Sequence, residues 1–261
     1  MRPHVFAFLL LFGASLSAQR IDVTERRFPN AIDLTATKLG FDSRTGALVF
    51  DLVNRGGVAA TTPFKIDVVR DALRTTVEFS APSMHGGNEP RIGFTRNVPI
   101  DPYERRHVVL TDLKVDQCSA GHTISVSVDS GNAVAEADEK NNQVQQTVMA
   151  PCPDLTVVSI GKNWNNLHTE YGAEVTIKNQ GTGSVGRFNV FAVTSNQLTG
   201  IFTLPDTPFR TYETLGPGET AKFTVGNALA VEKMWVRVVV DMPNWNKESD
   251  ENNNEMRKTL N

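Results

Sequence analysis

One acidic segment that occurs twice constrains this chain more than any other feature. The copies share the pattern D-x-x-N-x-x-x-E-x-D-E-x-N-N and begin at Asp129 and Asp241, 112 positions apart. Each copy follows a run of alternating β-branched residues, at 123–128 and 235–240. Alternation with period two is typical of half-buried strands. The repeat therefore predicts two similar β-domains, each with a long loop between its last two strands.

Other strand signals recur in the same order in both halves. Predicted strands at 48–54 and 175–179 each end in Asn-x-Gly, at Asn54 and Asn179, a tight-turn signal because Asn and Gly tolerate positive φ. Further strands are predicted at 64–68, 107–110 and 143–148 in the first half and at 188–192, 222–225 and 256–260 in the second. Short strands separated by turn signals predict an all-β fold with two tandem β-sandwiches.

The N-terminus has the order of an export signal. Arg2 is followed by a short apolar run at 5–12 and by small residues up to Ala18, where cleavage is expected. The apolar run is too short to cross a bilayer as a helix, and no later segment is long and apolar enough to do so. The mature chain is therefore expected to be secreted, periplasmic or at the cell surface.

The predicted organisation has five parts. They are a signal peptide (1–18), a polar lead-in (19–30), the first sandwich (31–149), a Pro-rich linker (150–153) and the second sandwich (154–261). Pro151 and Pro153 stiffen the linker, so the two sandwiches are expected to keep a limited range of orientations.

Charge and motif content exclude several classes of function. The net charge of −3 over 261 residues gives no electrostatic basis for binding nucleic acid or an anionic membrane. The chain contains neither G-x-S-x-G nor H-E-x-x-H, and its histidines are scattered, at His4, His85, His107, His122 and His168. The sequence therefore predicts no catalytic residues, and the protein is interpreted as a non-enzyme.

Several segments together carry a family resemblance. In the second half they are residues 153–155, 175–181, 215–219, 238–241 and 248–253; in the first half they are Asp33, Leu34, residues 53–56, and Asp129 with Asn132, Glu136, Asp138, Glu139, Asn141 and Asn142. Both halves resemble the CARDB domain, the cell-adhesion-related domain found in bacteria. The resemblance implies two immunoglobulin-like sandwiches in an exported, surface-associated or secreted protein, used as spacers or adhesive modules and without catalytic residues.

Two positions depart from the family pattern. Residues 100–103 read Ile-Asp-Pro-Tyr where the family usually has Leu-x-Pro-Gly. The family also places an aliphatic residue two positions after the loop Asn, which Val134 satisfies and Asn246 does not. We expect the neighbouring Trp245 to plug the base of the second loop instead.

The two cysteines are predicted to pair. In an immunoglobulin-like hairpin the penultimate strand leaves one pole and the last strand returns to it. Cys118 precedes the first of these strands and Cys152 follows the second, so both fall at the same pole. An exported protein meets an oxidising environment, and a disulfide here would stabilise the fold by up to about 4 kcal/mol.

The acidic loops have two interpretations. Asp and Asn side chains cap turn amides and tolerate left-handed backbone, so the favoured role is structural. The alternative is a calcium site, since Ca²⁺ takes six to eight oxygen ligands, although the spacing is not that of an EF-hand. The candidate ligands are Asp129, Asn132, Glu136, Asp138 and Glu139 in the first loop and Asp241, Asn244, Glu248, Asp250 and Glu251 in the second. No other cofactor is predicted.

Candidate contact surfaces lie elsewhere. Two aromatic–amide clusters, at 163–166 and 244–246, suit stacking on a glycan or docking on a protein, but packing roles are favoured and the immunoglobulin order places them at opposite poles. Residues 80–101 form a stretch specific to the first half. The predicted function is thus an exported, non-enzymatic adhesion, interaction or structural module that binds a protein or surface glycan. The alternatives are a calcium-rigidified spacer and an accessory or inhibitory module for an exported hydrolase.

Overall fold

Two sandwiches with the same strand order make up the part of the chain that this computed structural model describes, residues 19–20, 24, 27–80, 97–195 and 203–261. The first contains β1 (Gln19–Arg20), β2 (Leu34–Phe41), β3 (Leu48–Asn54), β4 (Phe64–Arg70), β5 (Leu73–Phe79), β6 (Glu104–Leu110), β7 (His122–Ser127) and β8 (Gln143–Val148). The second contains β9 (Leu155–Trp164), β10 (Glu170–Asn179), β11 (Phe188–Ser195), β12 (Arg210–Tyr212), β13 (Thr220–Leu229), β14 (Met234–Val240) and β15 (Glu255–Leu260). Short 3₁₀ turns occur at Thr111–Leu113 and Glu139–Asn141.

Each sandwich consists of two sheets: the first sandwich has two four-stranded sheets, and the second has one three-stranded and one four-stranded sheet. The first has the orders β1-β6-β3-β2 and β5-β4-β7-β8, and the second has β13-β10-β9 and β12-β11-β14-β15. Strands β9 to β15 therefore repeat β2 to β8 one for one, and their pairings are antiparallel. The predicted all-β class, with immunoglobulin-like sandwiches, is confirmed.

The alternating residues of facing sheets form two separate hydrophobic cores. In the first, Leu48, Phe50 and Leu52 point inward from β3 and are completely buried. In the second, Val236 and Val238 do the same from β14. A fully buried aliphatic side chain of this size contributes about 1.5–3 kcal/mol, so the inward faces predicted from period two are the main source of stability in each sandwich.

The five strands predicted in each half do not include β2 and β5 or their counterparts β9 and β12, and the pairing of part of the lead-in was not predicted either. Strand β5 follows β4 through a two-residue turn at Asp71, whose φ is 54°, and β12 is its short counterpart. Gln19 and Arg20 of the predicted lead-in pair with β6 instead of remaining irregular. The predicted signal peptide, and residues 81–96 of the stretch at 80–101, lie outside the described residues. No helix among the described residues is long and apolar enough to cross a membrane.

Residues 100–103, which depart from the family pattern, still form the turn in which that pattern has a glycine. Tyr103 has φ 59°, close to the 76° of Gly218 at the matching position. The following glutamates close both turns: Glu104 accepts from the Asp101 N–H at 2.7 Å, and Glu219 accepts from the Gly216 N–H at 2.7 Å. A tyrosine in left-handed backbone is strained, so this turn forms in the first sandwich at a conformational cost.

The sandwiches meet end to end. The β2–β3 turn and the β6–β7 connection of the first contact the β10–β11 and β14–β15 loops of the second. The Ser184 N–H donates to the Ser43 carbonyl at 2.7 Å, and Gln117 Nε2 donates to the Ser184 carbonyl at 2.8 Å. We call this set of contacts the junction.

Candidate functional sites: the acidic loops and the junction

An aspartate opens each acidic loop by binding backbone amides. Asp129 Oδ1 accepts from the Ala133 N–H at 3.0 Å and Oδ2 from the Val134 N–H at 2.8 Å. Asp129 and Asn132 have φ of 46° and 50°, a conformation that Asp and Asn adopt more readily than most residues. The first D and N of the repeated pattern therefore shape the chain reversal after the penultimate strand.

The second loop begins with the equivalent aspartate, which has different hydrogen-bond partners. Asp241 Oδ2 accepts from the Asn246 N–H at 2.9 Å, and Oδ1 accepts from the side chain of Asn246 at 3.1 Å. Asp241 and Asn244 again have positive φ, 50° and 61°. Burial raises the pKa of Asp241, even though its hydrogen bonds with Asn246 favour the carboxylate.

A glutamate fastens each loop to the first strand of its sandwich. In the first, Glu136 accepts from the backbone N–H of Leu34 and from Asn142 Nδ2, the latter at 3.1 Å. Burial raises the pKa of Glu136 to about 8, against the hydrogen bond from Leu34, and the charges of Glu139 and Asp129 add to the rise. This side chain therefore joins two segments that are about a hundred positions apart in sequence.

Glu248 makes the same contacts in the second sandwich. It accepts from the Leu155 N–H and, at 3.2 Å, from Asn254 Nδ2. Burial raises its pKa to about 7, with smaller contributions of the same sign from Asp241 and Glu251. The match between the copies shows that the E of the pattern is retained for this connection.

The remaining acidic positions cap amides within the loop. Glu139 accepts from the Glu136 N–H at 3.0 Å, and Glu251 accepts from the Glu248 N–H at 3.0 Å. The intervening aspartates bind the amide two residues ahead, Asp138 that of Lys140 at 3.1 Å and Asp250 that of Asn252 at 2.9 Å. These are the local side-chain-to-backbone bonds that make Asp favourable in turns.

The first asparagine of the final pair reaches the aspartate at the start of each sandwich. Asn141 Nδ2 donates to Asp33 Oδ1 at 2.6 Å, and Asn253 Nδ2 donates to Asp154 Oδ1 at 2.8 Å. Thr35 Oγ1 also donates to the Asn141 carbonyl at 2.8 Å. Both aspartates are buried, so these bonds satisfy groups that water reaches poorly.

The two copies differ at the outer oxygen of that aspartate. Asp154 Oδ2 accepts from Ser249 Oγ at 2.9 Å and from Gln180 Nε2 at 3.2 Å. Asp33 Oδ2 has no hydrogen-bond partner, and Ala137 occupies the position in the first loop that Ser249 occupies in the second. The first network is therefore less complete than the second.

The asparagine of each Asn-x-Gly turn belongs to the same polar network. The buried Asn54 accepts from the Gly56 N–H at 3.0 Å and donates to the Val58 carbonyl at 2.9 Å. Asn179 repeats this with the Gly181 N–H at 3.1 Å and the Gly183 carbonyl at 2.8 Å. The turns predicted from Asn and Gly are therefore present, and the Asn side chain is what closes them.

These contacts support the structural interpretation of the acidic loops. The carboxylates converge on backbone amides and asparagine side chains. A cation at either loop would compete with the N–H donors that these carboxylates already bind.

The disulfide forms as predicted and lies at the junction. Cys118 and Cys152 are bonded, with their Cα atoms 4.4 Å apart, and the Cys118 N–H donates to the Pro151 carbonyl at 3.0 Å. Lys247 of the second sandwich donates through Nζ to the Cys118 carbonyl at 3.4 Å. No sequence pattern indicates this contact, because an exposed lysine in a loop is an ordinary surface residue.

The two tryptophan clusters have different environments. Trp164 is partly buried against the core, with its ring 5.1 Å from that of Tyr171 and Lys162 Nζ 4.5 Å above it. Its packing role is confirmed. It ends β9, next to the β9–β10 turn, whereas Trp245 lies in the β14–β15 loop at the other pole, so the expected separation of the clusters is also confirmed.

Trp245 does not plug its loop, which corrects the expectation. Its residue surface is 55% exposed. Asn246 fills the position instead, accepting from the Gly186 N–H at 3.1 Å and donating to the Arg187 carbonyl at 3.1 Å. Val134 at the same place in the first sandwich packs into the core. An amide replaces the aliphatic residue because it can satisfy the neighbouring loop backbone.

One Ser–His–Asp arrangement was missed by the sequence reasoning, because its members come from two hairpins. His122 Nε2 lies 3.0 Å from Ser119 Oγ, and His122 Nδ1 lies 2.7 Å from Asp71 Oδ2. Ser119 Oγ also donates to the Asp116 carbonyl at 2.8 Å. The hydroxyl thus has both a backbone carbonyl and the imidazole within hydrogen-bond distance. The three side chains connect the β4–β5 turn to the start of β7.

The junction also encloses a polar cleft of about 470 Å³. Arg44 and Lys114 line it from the first sandwich, and Glu213, Thr214 and Asn246 line it from the second. The exposed Trp245 lies next to Asn246 in sequence. The cleft depends on how the two sandwiches are joined, so no local pattern in the sequence could have indicated it.

Comparison with known proteins finds a family match in the second sandwich. Residues 152–258 match the family model of the CARDB domain. A crystal structure of a CARDB domain from Pyrococcus furiosus, in complex with di-metal ions, is 26% identical, covers 42% of this chain and 92% of its own, and has a TM-score of 0.31.

More distant similarities are to CBD12 from CALX1.2 and to red sea bream transglutaminase. The first is 9% identical over 78% of this chain and 79% of that one, with a TM-score of 0.31. The second is 10% identical over 88% of this chain and 31% of that one, with a TM-score of 0.26. No curated protein matches this chain.

Proposed function

We propose that this chain is an exported, non-catalytic interaction module of the bacterial cell surface or secretome, in which two CARDB-type sandwiches are held as one stiff unit. The junction carries the proposal. A flexible tether would need only the linker, whereas here Cys152 of the linker is bonded to Cys118, and Lys247 of the second sandwich contacts the same loop.

The repeated loop contacts support treating the first sandwich as a second CARDB copy. In each sandwich a loop glutamate accepts a hydrogen bond from a backbone N–H of the first strand. Glu136 accepts from Leu34, and Glu248 accepts from Leu155. These bonds stabilise the fold. Binding is therefore assigned to surfaces in which the two sandwiches differ. Such differences, carried on a common scaffold, are where functional contacts are usually found.

The exposed Trp245, which precedes the cleft residue Asn246 in sequence, is the best candidate contact for a protein or glycan. Its indole offers a large apolar face with one N–H donor, a combination enriched in binding sites. Holding the sandwiches rigidly would keep this tryptophan and the cleft in one arrangement, which lowers the entropy lost on binding.

Export and absence of catalysis are tested together. The full chain, expressed in a bacterium with an active secretory pathway, should appear in the periplasm or medium with its N-terminus at Gln19, as read by intact mass. The purified protein should not react with a fluorophosphonate at Ser119. Retention of the uncleaved chain in the cytoplasm would contradict export, and covalent labelling of Ser119 that is lost in Ser119→Ala would contradict the non-enzyme assignment.

Partner binding has its own test. Trp245→Ala should reduce capture of the partner from envelope extract, whereas Val158→Ala, at a 48%-exposed site on the side of the second sandwich, should leave capture unchanged. Equal capture by both variants would exclude the tryptophan as the contact.

A further inference from the structure

Among the described residues, the two poles that lie opposite the junction carry exposed apolar side chains. At the far end of the second sandwich, the β9–β10 and β13–β14 turns lie side by side, joined by the Ala230 N–H donating to the Thr169 carbonyl at 2.8 Å. Leu167 in the first turn is 81% exposed, Val231 in the second is 92% exposed, and Leu229 beside it is 49% exposed. We call these three residues the tail patch.

The free end of the first sandwich has a similar character. Val58, in the β3–β4 connection, is 42% exposed, and Ala133, Ala135 and Ala137 of the β7–β8 loop are also exposed. We call these four residues the head patch.

The same two poles already bind each other inside the chain. The turns that carry the tail patch correspond to the β2–β3 turn and β6–β7 connection, which supply Ser43 and Gln117 to the junction. The loops that carry the head patch correspond to those that supply Ser184 and Lys247 to the junction. Within one chain, therefore, the pole of the first sandwich that corresponds to the tail already contacts the pole of the second sandwich that corresponds to the head. This contact is end to end.

Two head-patch positions differ from their matches at the junction, one by losing a charged side chain and one by gaining an aliphatic side chain. Ala135 of the head patch matches Lys247 in the aligned loops. Val58 matches Gly183, because the carbonyl of each accepts a hydrogen bond from the asparagine of its Asn-x-Gly turn. The contacts of the junction are hydrogen bonds, whereas the free ends place aliphatic groups at both complementary poles. Aliphatic groups exposed at both ends are suited to being covered by one another.

We propose that the head patch of one molecule binds the tail patch of a second copy, giving head-to-tail association. Such a contact joins two different surfaces, so it extends into an open chain of molecules unless the rotation closes a ring. The patches are small, so the association is of the weak, concentration-dependent class. The inference rests on the two free ends and stands apart from export and from the identity of any partner.

Two variants, each with aspartates introduced into one of the patches, test the proposed association. The tail variant is Leu167→Asp with Val231→Asp, and the head variant is Val58→Asp with Ala135→Asp. Sedimentation equilibrium is measured from about 10 µM to about 1 mM, a range suited to weak contacts. The wild-type average mass should rise with concentration, to about 1.5 times the monomer mass or more. Each variant alone should stay monomeric, and the matched control Val158→Asp should associate like the wild type.

Mixing the two variants gives the decisive result. The tail variant keeps a free head and the head variant keeps a free tail, so an equimolar mixture should form dimers and nothing larger. Dimer formation also shows that both variants are folded. A wild type that stays monomeric to about 1 mM would overturn the proposal. Undiminished self-association of either variant would also overturn it, because that result indicates a symmetric contact.

Discussion

Glu248 accepts a hydrogen bond from the backbone N–H of Leu155, a residue 93 positions earlier in the chain. The same bond joins Glu136 to Leu34 in the first sandwich. Each acidic loop is thus tied to the first strand of its own sandwich, which explains why a glutamate recurs at this position. The repeated pattern describes a loop that closes a sandwich, with its acidic residues directed inward to amides.

Removing this glutamate should destabilise the sandwich that contains it. Glu248→Ala leaves the Leu155 N–H and the Asn254 side chain without their acceptor in a buried site, so we expect a loss of about 2–4 kcal/mol in the free energy of unfolding. Urea denaturation measures it. The control Glu213→Ala removes an exposed carboxylate paired loosely with Arg187 at 3.7 Å and should change stability by less than about 0.5 kcal/mol. Equal effects from the two variants would refute the role of the network.

The same glutamates should make stability depend on pH. Their pKa values are raised from 4.5 to about 8 for Glu136 and about 7 for Glu248. The folded state therefore holds protons that the unfolded chain releases, and the stabilisation is fully present below pH 4.5 and is lost as pH rises through these folded-state pKa values.

A neutral variant isolates this pH effect. Glu136→Gln with Glu248→Gln keeps an acceptor for each strand amide, and the Asn254 amide can turn over to meet the new donor because its Oδ1 has no partner. The wild type should lose stability relative to this variant between about pH 4.5 and about pH 8. A constant difference across that range, measured by urea denaturation, would show that these carboxyls do not titrate as described.

The hydrogen-bond network around Asp33 lacks a bond that the network around Asp154 has. Adding that bond should stabilise the first sandwich. Ala137→Ser places a hydroxyl where Ser249 binds Asp154 in the second sandwich, near the unpartnered Asp33 Oδ2. We expect a gain of about 0.5–1.5 kcal/mol, and a loss of similar size for Ser249→Ala. Thermal melting reports both. A destabilising Ala137→Ser would mean that the two loops do not superpose at this position.

Calcium should not stabilise the protein. The loop carboxylates already bind N–H donors (Asp129 those of Ala133 and Val134, for example), so a bound cation would compete with these donors for the same oxygens. Melting curves with and without millimolar Ca²⁺, with Mg²⁺ as the control ion, should coincide. An upward shift specific to Ca²⁺ would favour the calcium-rigidified spacer instead.

The sequence predicted those parts of the fold that local patterns encode. Alternation located the core strands such as β7 and β14, and Asn54 and Asn179 marked turns because their own side chains close them. Strand β5 was missed because its outward face is polar and only Asp71 and Ala72 separate it from β4, so the two strands merge into one run. The export signal and the role of the 80–101 stretch stay predictions.

The junction could not have been predicted beyond its disulfide. Ser43 and Ser184 are common surface residues, and only the assembled fold brings the N–H of one to the carbonyl of the other. Trp245 was misjudged for a related reason. Nothing near it in sequence shows that Asn246 would meet the backbone of Gly186 and Arg187 and so leave the indole exposed.

The most direct test of a stiff two-sandwich unit is the relative alignment of the sandwiches in solution, from residual dipolar couplings of backbone amides. In the oxidised wild type, both sandwiches should fit one alignment tensor with the orientation set by the junction. Cys118→Ser with Cys152→Ser and Lys247→Ala should give two tensors of different magnitude, because the linker is then released from the first sandwich. Two independent tensors in the oxidised wild type would contradict the account.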